Sequence, residues 1–145
     1  MLRVTKLTDY ATVVLACLAK APHAVHSASD LAGQAKLELP TVSKVLKPLS
    51  RAGLVQAFRG SQGGYRLARP ATQISLYSVV EAMEGRPGMT ECSGEHSQCQ
   101  HEPHCGIQGH WQMVNDVIAD ALRSVSIAEL GGKTRRSIPL KLAKA

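Results

Sequence analysis

Three cysteines, Cys92, Cys99 and Cys105, are separated by six and five residues in a stretch rich in Gly, His and Ser that runs directly into a helical pattern. A deprotonated thiolate donates strongly to soft metals, so such a trio suits a soft metal ion or an iron–sulfur cluster. Spacing alone points to no fourth ligand. One of His101, His104 or His110 would complete a tetrahedral zinc site of three cysteines and one histidine, while three unligated, reactive thiols are the plain alternative. His96 and His101, in a polar loop, read first as solvent-exposed residues. Cys17 stands alone in an apolar run and is expected in the core. Clustered rather than paired cysteines argue against a disulfide framework. A nucleophilic Cys105 with a neighbouring His as base would make an enzyme. The chain carries no second catalytic constellation and no phosphate-cradling Gly loop before a helix, so an enzyme is not expected.

The elements that must position the trio are framed by charge. Residues 1–69 carry ten Lys and Arg against three acids, residues 70–130 carry two against eight, and residues 131–145 add five basic residues and no acid. Segregation of this kind marks an N-terminal half suited to a polyanion and a C-terminal half with another task. Aromatics are 3% of the chain, so the core must be built from Leu, Val, Ile and Ala. No stretch approaches the ~18 consecutive apolar residues of a membrane span. The opening Met1-Leu2-Arg3-Val4 has no apolar signal block, and the expected location is the cytoplasm.

Residues 9–20 predict an apolar helix capped by Thr8, because a Thr hydroxyl can accept from the first free amides. Ser27 or Ser29 caps a short helix to about Gln34, and Lys36 to Leu39 make a turn. Pro40 costs no hydrogen bond in a first helical turn, and the helix it opens turns Val42, Val45, Leu46 and Leu49 inward. Thr41, Ser43, Lys44, Lys47 and Arg51 face out. Pro48, inside this helix, predicts a bend or a tightened last turn, and Gly53 closes it in left-handed geometry. Leu54–Phe58 and Tyr65–Leu67 alternate as strands around the Gly-rich turn Arg59 to Gly64. Two helices and a hairpin make a winged helix-turn-helix. Its second helix presents polar side chains to a major groove, and Arg59, Ser61, Gln62, Gly63 and Gly64 at the wing approach phosphates or the minor groove.

A further helical pattern holds Ile74, Val79, Val80 and Met83, with Ser75 or Ser78 as cap. After the cysteines, Ile107, Trp111, Val114, Ile118, Ala121 and Val125 recur at spacings of four and three, the seam of a helix that packs on another. In so short a chain the natural partner is a second copy in a C2 dimer, which implies a palindromic operator in double-stranded DNA. The expected fold is mainly α with a small β-hairpin wing. Residues 1–70 form the winged helix-turn-helix DNA-binding domain, 71–87 a connecting helix and 88–106 the cysteine-rich, cluster-binding loop. Residues 107–130 form a long dimerisation helix ending in a short turn from Ile127 to Leu130, and 131–145 a basic tail expected to be disordered.

Three segments carry a resemblance: the opening Leu2-Arg3-Val4-Thr5-Lys6-Leu7-Thr8-Asp9-Tyr10-Ala11, the wing Arg59-Gly60-Ser61-Gln62-Gly63-Gly64-Tyr65-Arg66-Leu67, and the cysteine trio followed by a Trp-bearing helix. Over about residues 1–130 the chain resembles the Rrf-two family of regulators, which has IscR-like and NsrR-like members, and most of all its SUF-system branch. The resemblance implies a homodimeric winged-helix regulator whose cysteines hold a 2Fe–2S or 4Fe–4S cluster, with DNA binding changing as the cluster is gained or lost. Residue by residue, it makes Cys92, Cys99 and Cys105 the cluster thiolates. Where IscR-like members place a His, three residues after the last cysteine, this chain has Gln108, a poor iron ligand. NsrR-like members supply an Asp from the N-terminus of the other subunit. The matching residue is Asp9 of the partner subunit, with His104 and His110 as alternatives. The implied function is an iron–sulfur-cluster-responsive repressor of SUF-type cluster-assembly genes; the alternative is a winged-helix regulator that senses zinc or thiol redox state.

Overall fold

Helix α1 (Lys6–Ala19) begins one turn earlier than the sequence predicts. Thr5 is its cap, its hydroxyl accepting from the Thr8 N–H at 3.3 Å. Thr8, the expected cap, lies inside the helix, 1% exposed, and its hydroxyl donates to the Glu84 carboxylate. Thr5 and Thr8 are equivalent as caps by local chemistry; a distant acceptor decides between them. The computed structural model describes residues 3–90, 99–100 and 104–132.

Local chemistry sets the next two helices. Ser27 caps α2 (Ala28–Ala35) in a capping box: its hydroxyl accepts from the Asp30 N–H, and the Asp30 carboxylate accepts from the Ser27 N–H, both at 3.0 Å. Asp30 selects Ser27 over Ser29. Lys36 ends the helix in the left-handed region at φ 53°, an unusual conformation for a residue with a Cβ. Helix α3 (Leu39–Arg51) has Pro40 in its first turn and runs through Pro48 without interruption. Val42, Val45, Leu46 and Leu49 are completely buried, at the i, i+3, i+4, i+7 spacing of a core-facing stripe. Gly53, at φ 69°, turns the chain out of the helix as the sequence predicts.

The wing is β1 (Val55–Phe58) paired antiparallel with β2 (Gly64–Leu67), Val55 opposite Leu67 and Phe58 opposite Gly64. Val55 and Leu67 turn one face into the core. The α1–α2 connection joins the hairpin at an isolated bridge between His26 and Tyr65. Gly64 is required there, because a Cβ would collide with the His26 carbonyl.

A 3₁₀ turn (Ala71–Gln73) leads to α4 (Leu76–Glu84), capped by Ser75. Ile74 lies ahead of this helix rather than in it, fully buried. Helix α5 (Gln108–Arg123) follows, then α6 (Ile127–Gly131), which Ser126 and Glu129 start with a second capping box. The expected closing turn is thus a helix that returns to the N-terminal core. The Ile127 N–H donates to the Ile74 carbonyl at 2.9 Å, the Leu76 N–H to the Val125 carbonyl at 2.8 Å, and α6 packs on α1. Ile127 and Cys17 both join the core cluster. No described helix is long and apolar enough to cross a membrane.

Candidate nucleic-acid interface and cysteine site

On α3, opposite the buried stripe, Ser43, Lys44, Lys47 and Arg51 are exposed and Thr41 is half-buried. Lys44, Lys47, Arg51 and Arg59 form no ion pair among the described residues, so their charges face solvent. Such cations are available to replace the counterions of a phosphate backbone. At the wing, Arg59, Ser61 and Gln62 are exposed and Gly63 and Gly64 half-buried. The smallness of both glycines has an internal use: a Cβ on Gly63 would strike the Phe58 carbonyl, as one on Gly64 would strike that of His26. Sequence reading passed over Arg66. Its guanidinium lies 4.9 Å from the Phe58 ring centroid and donates to Gln56 Oε1 at 3.1 Å, holding a cation in a fixed place on the outer face of the hairpin. The alternating register was its signal, since Gln56 and Arg66 pair directly.

Of the cysteine trio, Cys99 and Cys105 are free thiols, both half-buried, and Cys92 lies outside the described residues, as do His96 and His101. Cys105 stands just ahead of α5; His104 and His110 are exposed. Among the described residues no three His, Cys, Asp or Glu side chains come together as a metal site. The donors that are described fit a soft metal or an iron–sulfur cluster by chemistry, being free, partly shielded thiols, one of them, Cys105, just ahead of a helix start. Asp9 is exposed in the first turn of α1 and lines a cavity of 610 Å³. The same cavity is lined by Glu84, Arg86, Pro87 and Met89, where the chain leaves α4 toward Cys92. The Met89 N–H donates to Asn115 Oδ1 at 3.2 Å, tying this segment to α5.

Glu84 was not singled out by the sequence. One of its oxygens, Oε1, accepts from the Thr5 N–H at 2.9 Å and from the Thr8 hydroxyl. Burial opposes its charge, but the bonds from Thr8 and Thr5 outweigh that and hold it below the usual glutamate range. Nothing in a Glu at a helix end reveals partners more than seventy residues away.

Helix α5 buries one residue, Ala119. Ile107, Trp111 and Val114 of the predicted seam are exposed, along with Met113 and Val117. Ile118, Ala121 and Val125 are half-buried, toward the end where α5 meets α4 and Arg123 stacks 4.2 Å from the Tyr77 ring centroid.

Residues 4–133 match the Rrf2 family, described as an iron-dependent transcriptional regulator. The chain belongs to the Rrf2 family. It is 33% identical over 131 residues to Protein aau3 of Rhizobium meliloti, covering 89% of this chain and 84% of that protein. To the HTH-type transcriptional regulator IscR of Vibrio vulnificus it is 30% identical over 102 residues, 70% of this chain and 60% of that protein. The structure of CymR, the global cysteine regulator of B. subtilis, shares the fold with a TM-score of 0.71 at 22% identity, covering 93% of this chain and all of that one. This Rrf2 protein is therefore a DNA-binding transcription regulator and not an enzyme.

Proposed function

We propose that this Rrf2 protein is an iron–sulfur-cluster-responsive repressor of SUF-type iron–sulfur assembly genes, acting as a homodimer on a palindromic operator. The observation that carries the reading is that Cys99 and Cys105 are free, half-buried thiols, Cys105 just ahead of α5, whose exposed apolar face is the surface a second copy would cover. Apolar side chains clustered on an open helix face mark an interaction surface, and a C2 pair of heads reads two half-sites. The family's description as iron-dependent supports an iron group over zinc.

Cys92, Cys99 and Cys105 are assigned as the thiolate ligands and Asp9 of the partner subunit as the fourth, ahead of His104 and His110. When bound, the cluster supplies a reversible, redox-sensitive link between its ligands. The chain's own residues do the rest: Thr41, Ser43 and Lys44 face base edges, Lys47, Arg51 and Arg59 face phosphates, and the wing residues Ser61 to Gly64 lie along the backbone. The cluster changes DNA affinity only insofar as the DNA-binding and non-binding arrangements hold it unequally.

Visible absorption and Mössbauer spectra of protein purified without oxygen, before and after chelation, test the site. A coloured protein with iron–sulfur spectra that vanish on chelation is expected. A colourless protein containing zinc would replace the reading with a zinc sensor on the same fold.

A further inference from the structure

We propose that Glu84 is the positioning residue through which the state of the cysteine loop reaches the DNA-binding head; this rests on the sensor reading above. Glu84 is the last residue of α4, and Gly85, at φ 85°, turns the chain into the segment that leads to Cys92. On its other side the carboxylate holds the start of α1. Oε1 accepts from the Thr5 N–H at 2.9 Å and from the Thr8 hydroxyl. With its proton given to Glu84, Thr8 accepts from the Thr5 hydroxyl at 3.1 Å, so one hydroxyl and one amide converge on Glu84 Oε1 and a second hydroxyl backs the first. Thr8 is 1% exposed and has no water to replace this partner. The contact therefore has two discrete conditions, made or broken, rather than a graded one.

Both ends lead to functional parts. Helix α1 carries Asp9 one residue beyond Thr8 and packs directly on α3, the recognition helix. The segment after Glu84 is anchored to α5 through Met89 and Asn115. A loop that changes its hold on residues 85–89 must pull on Glu84, and Glu84 has the α1 start as its fixed point. Asp9 and the segment that begins the cysteine loop line one cavity.

Because both bonds end on one oxygen, a carboxamide oxygen can also accept them, though without the strengthening that a carboxylate's charge gives. Glu84→Gln should keep the latch, Glu84→Ala should remove it, and Thr8→Val should remove the hydroxyl with little change of shape. The experiment uses the full chain, purified without oxygen, and a duplex of its own promoter region. The ratio of DNA affinities between loaded and chelated protein is read beside amide exchange of residues 5–8 in the chelated protein. Wild type and E84Q are expected to show a ratio of about fivefold or more. E84A and T8V are expected to bring that ratio close to one with the visible spectrum of the loaded protein unchanged, and to speed exchange at residues 5–8 only. A merely structural role would speed exchange along all of α1, and that result overturns the proposal. So does a wild-type ratio in E84A and T8V, or a loss of response in E84Q as large as in E84A. If E84A fails to fold, T8V decides. A wild type whose affinity ignores the loaded state overturns the sensor reading, and the latch falls with it.

Discussion

His26 and Tyr65 exchange both of their backbone hydrogen bonds, at 2.9 and 2.7 Å, and so fasten the wing to the segment that begins α2. The wing's angle to the recognition helix thus depends on a third strand of one residue. The His26 ring sits in the same place, its Nε2 a buried atom without a hydrogen-bond partner among the described residues and its Nδ1 3.4 Å from Gln34 Nε2. Close approach at this bridge leaves no room for a Cβ on Gly64. Gly64→Ala is expected to destabilise the protein by about 1–3 kcal/mol, the usual cost of overpacking. Urea unfolding measures the loss, and DNA affinity measured where the variant is still folded should fall as well.

Exposed cations on α3 and polar residues on the same face should separate into two classes. Lys47→Ala is expected to weaken binding to every sequence and to lower the salt slope of log affinity by about one. Thr41→Ala or Ser43→Ala should instead change the preference among operator variants, with little effect on the slope. Titrations of specific and scrambled duplexes at several salt concentrations distinguish the two.

Acid should loosen two contacts in the same direction. Glu84 is held below its ordinary value of 4.5 despite burial, by Thr8 and Thr5, and Asp30 below its ordinary 3.8 by bonds from Ser27. A carboxylate with a lowered folded pKa contributes stability that is complete above its unfolded pKa and is lost as pH falls through the folded one. Wild type is therefore expected to lose its advantage over Glu84→Gln as pH falls below about 4.5, and over Asp30→Asn below about 3.8. Denaturant unfolding across pH 3 to 7, about the range over which carboxylates titrate, reads both differences.

Legibility followed the range of the forces. Ser27, Pro40, Gly53 and Ser75 act on amides or torsions within a few residues of themselves and were readable, though Ser27 was chosen over Ser29 only by Asp30, and Ser75 shared its place with Ser78. The α3 stripe was readable from period alone. Thr5 as cap, the burial of Thr8, the bridge of His26 to Tyr65 and the return of Ile127 to the core all depend on partners distant in sequence, for which composition and spacing carry no signal. The candidate site divides the same way. Outward residues of α3 and the wing were placed by face, whereas the shared cavity of Asp9 and the segment after α4 exists only once α1 and α4 have packed.

The open face of α5 predicts association. Val114→Glu together with Trp111→Glu puts two carboxylates on a surface that is exposed in one chain. The double variant is expected to sediment as a monomer with an unchanged helical spectrum, and to bind a palindrome far more weakly because two linked half-sites become one. A wild type that already sediments as a monomer at micromolar concentration would show that this face serves something else.

The proposed sensor role stands most directly on Cys99, a free, half-buried thiol and the middle one of the trio. DNA affinity of wild type and Cys99→Ala, each measured anaerobically before and after chelation, tests it in one set of titrations. Chelation is expected to shift wild-type affinity by about fivefold or more, and Cys99→Ala to have one affinity, unmoved by chelation, with its melting behaviour intact. A Cys99→Ala protein that still responds to chelation as wild type does would contradict it.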